Sequence, residues 1–169
     1  DDITLLEVEC ESKEEKLEFH TDFNHIDSDG LIDGFNLHTD GVASFTKGSD
    51  TAELFVNSGS DTRITKKLYN FITDYQYHVL FNYNTNACGY IRFDFFNING
   101  VLIEGCSQER TFTSNSDPVN FYFDAPSSSY AVVSIGLNGV GVLNLNYLYI
   151  YQSRIPASKG EWKGQWVWY

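Results

Sequence analysis

The sequence predicts an all-β domain, a two-sheet antiparallel β-sandwich. Aromatic residues make up 16% of the chain, with 13 Phe, 11 Tyr and no Met, and such a composition suits half-buried pleated strands better than helices. Short segments of alternating polarity recur about every 8 to 12 residues, separated by Gly, Ser, Asn and Asp turns, which is typical of sandwiches. The 169 residues are enough for one domain around one core.

Candidate strands cover most of the chain. The weaker ones lie at residues 3–9, 17–23, 35–37, 43–45 and 52–56. The stronger ones lie at residues 63–68, 76–83, 90–96, 101–104, 119–123, 130–137 and 142–151. Seven strands in the second group favour a sandwich over any helical arrangement.

Alternation within these strands separates a core set from an outward set, because successive side chains of a strand point to opposite faces. The predicted core set is Val79, Phe81, Tyr83, Ile91, Phe93, Phe95, Phe121, Phe123, Val133, Ile135, Leu143 and Leu145. The outward set mixes aromatic, charged and amide groups, and we expect it to share one sheet face. Its members are His78, Leu80, Asn82, Tyr90, Arg92, Asp94, Asn120, Tyr122, Asp124, Ser134 and Gly136.

Charge and hydropathy exclude several classes of partner. The formal net charge is −12, so nucleic acid and anionic lipid would be repelled at long range. No apolar run approaches the length of a membrane span. Neutral glycans and cationic partners remain compatible with this charge.

The sequence has no strong catalytic motif and no cysteine spacing typical of a metal site or a disulfide. Cys10, Cys88 and Cys106 match no metal-finger spacing, and strand geometry puts Cys88 about 17 Å from Cys106, too far for a bridge. The four histidines are scattered, and no nucleophile triad or phosphate loop is present. A glycosidase pair would need two carboxylates on one face, and only Asp94 and Asp124 have the right alternation. We therefore expect no catalysis.

A succession of motifs resembles the carbohydrate-binding modules of families 4, 9 and 22. The likeness covers roughly residues 17–151 and includes a leucine that enters a turn, a Tyr-led strand, a strand with an Asn-Gly hairpin, a Phe-x-Phe-x-x-Pro segment and a closing strand. The residues that carry it are Leu68, Tyr77-His78-Val79, Ile91-Arg92-Phe93 before Asn99-Gly100, Phe121-Tyr122-Phe123-Asp124-Ala125-Pro126, and Leu145-Asn146-Tyr147-Leu148.

The resemblance implies a jelly roll that binds glycan in a cleft on its concave sheet face, catalyses nothing, and is covalently linked to a secreted polysaccharide-degrading enzyme. It also implies a structural calcium ion. Two customary calcium contacts are replaced by neutral amides here, since Phe23-Asn24 stands where the family has Phe-Glu and Asn146 where it has an acid. The alternative function is a structural or adhesion sandwich that packs against a neighbouring domain and binds no sugar.

The outward set supplies the candidate ligand site. A sugar presents apolar C–H faces and a rim of hydroxyls, so its binding face needs aromatic platforms beside planar polar groups. We predict Tyr122 and Tyr90 as stacking residues and Arg92 and Asp94 as hydroxyl contacts. The complete predicted site is Tyr90, Arg92, Asp94, Tyr122, Asn120, His78 and Asn82. The alternative is a solvated sheet face whose Arg and Asp pair across strands.

A possible cation loop lies near the N-terminus, where Asp27, Asp29 and Asp33 follow the spacing D-x-D-G-x-x-D. Calcium needs several oxygens from a tightly curved backbone. The pattern is incomplete as an EF-hand, because His25 takes the first position and Asn36 the twelfth. The alternative is an Asp-Gly turn that holds no ion.

The domain organisation predicted from composition is a glycan-binding module at residues 1–153 and a linker with the start of a following domain at residues 154–169. Residues 155–160 have linker composition, and Trp162, Trp166 and Trp168 follow within a few residues. Trp166 and Trp168 would share one face of an extended segment.

Overall fold

The fold is a sandwich of two antiparallel sheets, as predicted. A computed structural model describes residues 15–153, and residues 3–9 and 154–169 lie outside that range. Its strands are β1 Glu15–Thr21, β2 Asn36–Thr39, β3 Val42–Lys47, β4 Ala52–Ser58, β5 Thr62–Leu68, β6 Gln76–Thr85, β7 Gly89–Phe96, β8 Gln108–Phe112, β9 Val119–Asp124, β10 Tyr130–Leu137 and β11 Gly141–Ser153. Within residues 15–153 no helix is long and apolar enough to cross a membrane.

The two sheets differ in size and share no strand. The six-stranded sheet has the order β3-β4-β11-β6-β9, with β1 also paired to β11. The five-stranded sheet has the order β2-β5-β10-β7-β8. Strand β11 is 13 residues long, and its register with β6 shifts between Leu145 and Tyr147.

The core between the sheets contains the predicted inward set. Every member is at most 6% exposed except Tyr83, which is half-buried and packs against the core. Phe71 fills one end of the sandwich, with its ring centroid 4.7 Å from that of Tyr77 and 5.8 Å from that of Phe123. Edge-to-face and tilted contacts of this kind are favourable aromatic arrangements.

One predicted strand is wrong and another was missed. Residues 101–104 form only an isolated bridge between Phe96 and Leu102, and the Leu102 side chain is 43% exposed. The edge strand that pairs with β7 is instead β8. Phe112 is the one buried residue of β8. A polar edge strand has no apolar alternation, so the sequence pattern could not reveal it.

Cys88 and Cys106 are both free thiols. Cys88 lies in the loop before β7 and is exposed, whereas Cys106 lies just before β8 and is partly buried against the core. Cys10 lies outside the described residues.

Tyr77 ties the closing strand to the segment before β6. Its ring is fully buried, and its hydroxyl accepts hydrogen bonds from the Ile72 backbone N–H at 2.7 Å and the Gln152 Nε2 at 3.0 Å. Burial raises the pKa of Tyr77, so the phenol stays protonated at neutral pH. Gln152 is itself buried, so the hydrogen bonds of Tyr77 form a small polar cluster inside the apolar core.

We predict that Tyr77→Phe lowers the free energy of unfolding by about 1 to 3 kcal/mol, because the buried Gln152 amide and the Ile72 N–H lose their acceptor. Chemical denaturation followed by fluorescence measures the change. The matched control is Tyr147→Phe, on the outer surface, which should change stability by less than about 0.5 kcal/mol. Equal effects of the two substitutions would contradict this role of Tyr77.

Candidate functional site

The predicted site residues divide between the outer faces of the two sheets. Tyr90, Arg92 and Asp94 lie on β7 in the five-stranded sheet, and the other four lie in the six-stranded sheet. Those four are His78, Asn82, Asn120 and Tyr122. The expectation of one shared face is therefore wrong. Alternation shows whether a side chain points inward or outward, but it does not show which sheet a strand joins.

The five-stranded sheet carries a polar pocket on its outer face. The pocket encloses about 310 Å³ and is lined by Asp61, Arg63, Tyr90, Arg92, Asp94 and Ser134. The floor of the pocket is formed by small residues of β10. Ser134 pairs with Arg92 and Gly136 pairs with Tyr90, so the large side chains of β7 stand beside small ones. On its other side β10 pairs with β5, which places Arg63 opposite Gly136.

Gly136 permits the close approach of the side chains above it. A Cβ atom there would lie 2.9 Å from the Tyr90 hydroxyl, 2.7 Å from the Thr62 carbonyl oxygen and 3.0 Å from the Arg63 Cβ. The backbone oxygen cannot move away as a flexible side chain could. The absence of a side chain at Gly136 therefore shapes the pocket.

Ion pairs hold the two guanidinium groups of the pocket. Arg63 Nη1 lies 2.6 Å from both carboxylate oxygens of Asp61, and this hydrogen bonding raises the pKa of Arg63. Arg92 lies 3.3 Å from Asp94 through Nε and 3.3 Å from Glu109 through Nη1. A guanidinium has five N–H donors, so both arginines retain donors for a ligand.

Tyr90 and Asp94 complete the hydrogen-bonding groups of the pocket. Burial raises the pKa of Tyr90, and the neighbouring Arg63 cation opposes that shift. The phenol is therefore neutral at physiological pH and can both donate and accept. The Ser107 hydroxyl donates to Asp94 Oδ1 at 2.5 Å, which leaves further acceptor capacity on that carboxylate.

An aromatic cluster follows the pocket along the same sheet face. Phe96 continues the outward alternation of β7, and its ring stacks on that of Tyr130 with centroids 5.1 Å apart. Tyr69 lies 6.3 Å from Tyr130, and Lys67 Nζ lies 4.9 Å from the Tyr130 ring centroid. Six residues separate Phe96 from Tyr90, about 20 Å along the strand.

We call this combined surface the β7 face. It comprises Asp61, Arg63, Tyr69, Tyr90, Arg92, Asp94, Phe96, Tyr130 and Ser134. Phe96 could have been found from the sequence, because it extends the outward series of β7. Asp61, Arg63 and Tyr69 could not, because their proximity depends on the pairing of β5 with β10.

The outer face of the six-stranded sheet carries the remaining predicted residues. The His78 and Tyr122 rings stack with centroids 4.1 Å apart. His78 Nδ1 lies 3.0 Å from a Glu15 carboxylate oxygen and its Nε2 lies 2.7 Å from Asn120 Oδ1. Asn82 accepts a hydrogen bond from the Asn146 side chain.

Three tyrosines of β11 share this face and were missed. Continuing the predicted alternation of Leu143 and Leu145 would bury Tyr147, Tyr149 and Tyr151. The register shift at Asn146 reverses the alternation instead, so Leu148 and Ile150 are buried and the tyrosines point outward. A bulge of this kind inserts one unpaired residue. The signal for it is the change of phase of the aliphatic residues, from Leu143 and Leu145 to Leu148 and Ile150.

The predicted cation loop forms a tight turn. Asp27 Oδ1 accepts hydrogen bonds from the backbone N–H groups of Asp29 and Leu31 at 2.9 and 3.0 Å. Gly30 has φ +81°, which glycine adopts readily. Asp33 accepts a hydrogen bond from the Thr21 hydroxyl, so its carboxylate points toward β1.

A second turn in the chain repeats this geometry without charge. Asn97 Oδ1 accepts from the N–H groups of Asn99 and Val101 at 2.9 and 3.0 Å, and Gly100 has φ +79°. The backbone bonds also correspond: Gly30 N–H donates to Asp27, and Gly100 N–H donates to Asn97. Neutral amides therefore build the same turn, so the Asp-x-Asp-Gly signal needs no ion to explain it.

The grouping of metal-binding side chains bears on the calcium ion that the resemblance implies. Within residues 15–153 no three His, Cys, Asp or Glu side chains are grouped so that they could hold a metal ion. The Asn146 amide is engaged with Asn82. Calcium binding at Asp27, Asp29 and Asp33 therefore stays a prediction. No cluster of three such side chains among residues 15–153 supports it.

The carboxylate pair considered for glycoside hydrolysis is divided between the sheets. Asp94 lies on β7 of the five-stranded sheet and Asp124 lies at the end of β9 in the six-stranded sheet. They therefore do not face a common ligand.

The fold is that of carbohydrate-binding modules. The CBM22-1 xylan-binding domain of Paenibacillus barcinonensis Xyn10C matches with a TM-score of 0.60 at 9% identity, covering 85% of this chain and 98% of that one. The BiXyn10A CBM1 structure matches with a TM-score of 0.54 at 14% identity, covering 80% and 97%.

A larger protein contains the same fold. The enzymatically active domain of tailspike protein 4 from bacteriophage CBA120 matches with a TM-score of 0.60 at 14% identity over 76% of this chain. This chain spans only 20% of that one. No protein-family model and no curated protein sequence matches the chain. At these identities the likeness establishes the β-sandwich fold.

We predict that Gly136→Ala destabilises the fold by about 1 to 3 kcal/mol, because the new methyl group overpacks the pocket floor. Gly139→Ala is the matched control, since a Cβ there meets no atom within 4 Å, and it should stay within about 0.5 kcal/mol of the parent. Urea denaturation of both variants measures the difference. Indistinguishable stabilities would show that the Gly136 contacts relax freely.

For the turn, we expect Asp27→Asn to leave stability within about 0.5 kcal/mol, because Asn97 accepts the same bonds in the second turn. Asp27→Ala should cost about 1 kcal/mol through loss of the acceptor. Thermal melts with and without millimolar CaCl2 give the test. A calcium-dependent rise in Tm that Asp27→Asn abolishes would establish an ion site and refute the turn interpretation.

Proposed function

We propose that this chain is a non-catalytic carbohydrate-binding module that binds a glycan on its β7 face. The observation that carries the proposal is the combination on one sheet face of a pocket with two arginines and an aromatic cluster that begins at Phe96, two residues or about 7 Å beyond Asp94 along β7. Planar hydrogen-bonding groups suit sugar hydroxyls, and aromatic rings suit the C–H faces of the sugar. Both are needed for selective glycan binding.

The electrostatics of the pocket support a neutral ligand. Each guanidinium of the pocket has at least one carboxylate partner, Asp61 for Arg63 and Asp94 with Glu109 for Arg92. These groups present donors and acceptors together, and their three carboxylates against two guanidiniums leave no excess positive charge for an anionic ligand. A neutral sugar with vicinal hydroxyls, which donate and accept at once, matches that arrangement.

The fold neighbours support the ligand class and the setting. One neighbour is described as a xylan-binding domain. Another is a Clostridium thermocellum Xyn10B fragment in which a CBM22-1 module is joined to a GH10 module, in complex with xylohexaose. By analogy we propose that this chain belongs to a secreted enzyme and targets it to a polysaccharide. Weak binding to a polymer raises the effective concentration of a linked catalytic domain.

Binding to a polysaccharide panel tests the function. We expect affinity electrophoresis to show retardation by at least one of xylan, β-glucan, mannan and pectin. Arg92→Ala should weaken binding about 10- to 100-fold, because hydrogen bonds to charged groups contribute about 1.5 to 3 kcal/mol each. Tyr90→Ala removes a neutral hydroxyl, whose hydrogen bonds contribute about 0.5 to 1.5 kcal/mol each, and should weaken binding about 2- to 10-fold.

The matched control is Phe55→Ala. Phe55 is 39% exposed on β4 of the other sheet, so its removal should leave binding by the β7 face unchanged. No binding across the panel would refute the proposal and favour a structural sandwich that packs against a neighbouring domain. Unaltered affinity in both Arg92→Ala and Tyr90→Ala would show that the β7 face is not the site.

A further inference from the structure

The outer face of the six-stranded sheet carries an ordered set of rings. Strand register places Tyr122, His78 and Tyr151 side by side on β9, β6 and β11. In the next row Tyr149 lies between Leu80 and His20. Tyr147 follows along β11, opposite Asn82. We call this set the tyrosine array: His20, His78, Tyr122, Tyr147, Tyr149 and Tyr151.

The rings of the array contact one another continuously. Centroids are 4.1 Å apart for Tyr122 and His78, 6.1 Å for His78 and Tyr151, and 6.3 Å for Tyr151 and Tyr149. Tyr149 and Tyr147 are 4.8 Å apart, and His20 contacts Tyr149 at 6.0 Å. Neighbouring rings limit each other's rotamers, so the platform is already ordered and little side-chain entropy is lost when a ligand binds.

The array extends in two directions. From Tyr147 to Tyr151 it spans about 13 Å along β11, and from Tyr122 to Tyr151 it crosses three strands spaced about 4.8 Å apart. Tyr122 lies on the outermost strand of this side of the sheet and is 50% exposed. A surface of this size can contact several sugar rings together.

The polar groups around the array are amides, hydroxyls and acids. Asn120 and Asn82 lie in its rows, and the Tyr149 hydroxyl donates to Asp22 Oδ1 at 3.4 Å. The Asp22 carboxylate raises the pKa of Tyr149, so that phenol remains a donor. No Lys or Arg stands in these rows, so an anionic ligand finds no counter-charge.

The half-buried tyrosines of β11 are not part of the core between the sheets. Leu148 and Ile150 supply the core contacts of this half of the strand, and the bulge at Asn146 turns Tyr147, Tyr149 and Tyr151 to the surface. Apolar patches rimmed by polar groups mark interaction surfaces. Protein interface cores are enriched in Tyr as well as in Arg and Met, so the tyrosines alone do not select the partner. The amides beside the rings and the lack of Arg and Lys in these rows match a neutral glycan.

We propose that the tyrosine array is a second glycan-binding surface, for a neutral polysaccharide, so that one module holds a separate chain on each side of the sandwich. The inference rests on the proposed function, because it adds a second surface to a glycan-binding module. The two surfaces differ in kind: the β7 face has a charged pocket, and the array presents rings side by side on an open sheet face. Two opposed surfaces would cross-link polymer chains.

Calorimetric titration of the full chain with xylohexaose and cellohexaose, together with light scattering on soluble xylan and mixed-linkage β-glucan, tests the proposal. We expect two sites per chain for a hexasaccharide that binds. Tyr149→Ala with Tyr151→Ala should remove one site or weaken it about tenfold, and Arg92→Ala should affect the other. Cross-linking of the polymer should require both surfaces.

Matched variants separate stacking from folding. Tyr149→Phe with Tyr151→Phe keeps the rings and should retain both sites, and Tyr122→Ala gives an independent change at the edge of the array. Phe55→Ala removes an exposed ring from the same sheet face outside the array and should have no effect. Thermal melts of each variant exclude loss of fold as the cause.

The outcomes distinguish this inference from the proposed function. A single site that is lost in Arg92→Ala and unchanged in all array variants would overturn the inference and leave the β7 face established. Binding lost in the array variants and unchanged in Arg92→Ala would support the array and refute the β7 face. Absence of binding to these sugars and to every polysaccharide of the panel would overturn both. Concentration-dependent dimerisation that Tyr149→Ala with Tyr151→Ala abolishes, without a glycan effect, would assign the array to self-association.

Discussion

The register of β11 determines how both sides of the six-stranded sheet are built. The strand pairs with β6 on one edge and with β4 and then β1 on the other, so every strand of that sheet except β3 and β9 bonds to it directly. Its alternation also divides the leucines and isoleucine that fill the core from the tyrosines that face solvent. The shift at Asn146 changes that division halfway along the strand. Because a one-residue slip exchanges the two faces of a strand, this single bulge decides which aromatic residues a ligand can reach.

The five-stranded sheet depends on a different constraint, the small residues of β10. Ser134 and Gly136 lie between the larger side chains of β5 and β7, and this spacing forms a depression that arginine and tyrosine side chains enclose. Carboxylates then hold the guanidinium groups in position. The core packing and the polar pocket are thus made by alternate residues of the same strands, which couples the shape of the site to the stability of the sandwich.

The sequence predicted the fold well and the site only in part, for identifiable reasons. Strong alternation in β6, β7, β9 and β10 revealed strands, core and outward residues such as Tyr90 and Tyr122. Alternation carries no information on sheet membership, so two separate faces were combined into one. The polar edge strand β8 has no apolar pattern. The bulge at Asn146 is marked only by the change of phase between Leu145 and Leu148. At the Asp27 turn the sequence pattern suggested more than the structure needs. The pattern resembles an ion site, but the Asp27 side chain accepts backbone hydrogen bonds, as the neutral Asn97 side chain does in the second turn.

The most direct test of the central claim is an NMR titration of the 15N-labelled chain with the oligosaccharide of the glycan it binds. The account predicts a set of backbone amide shifts on β5, β7 and β10, largest around Arg63, Tyr90 and Arg92, beside any shifts on β6, β9 and β11 that come from the tyrosine array. Perturbations confined to other strands, or none at saturating sugar, would contradict the assignment of glycan binding to the β7 face.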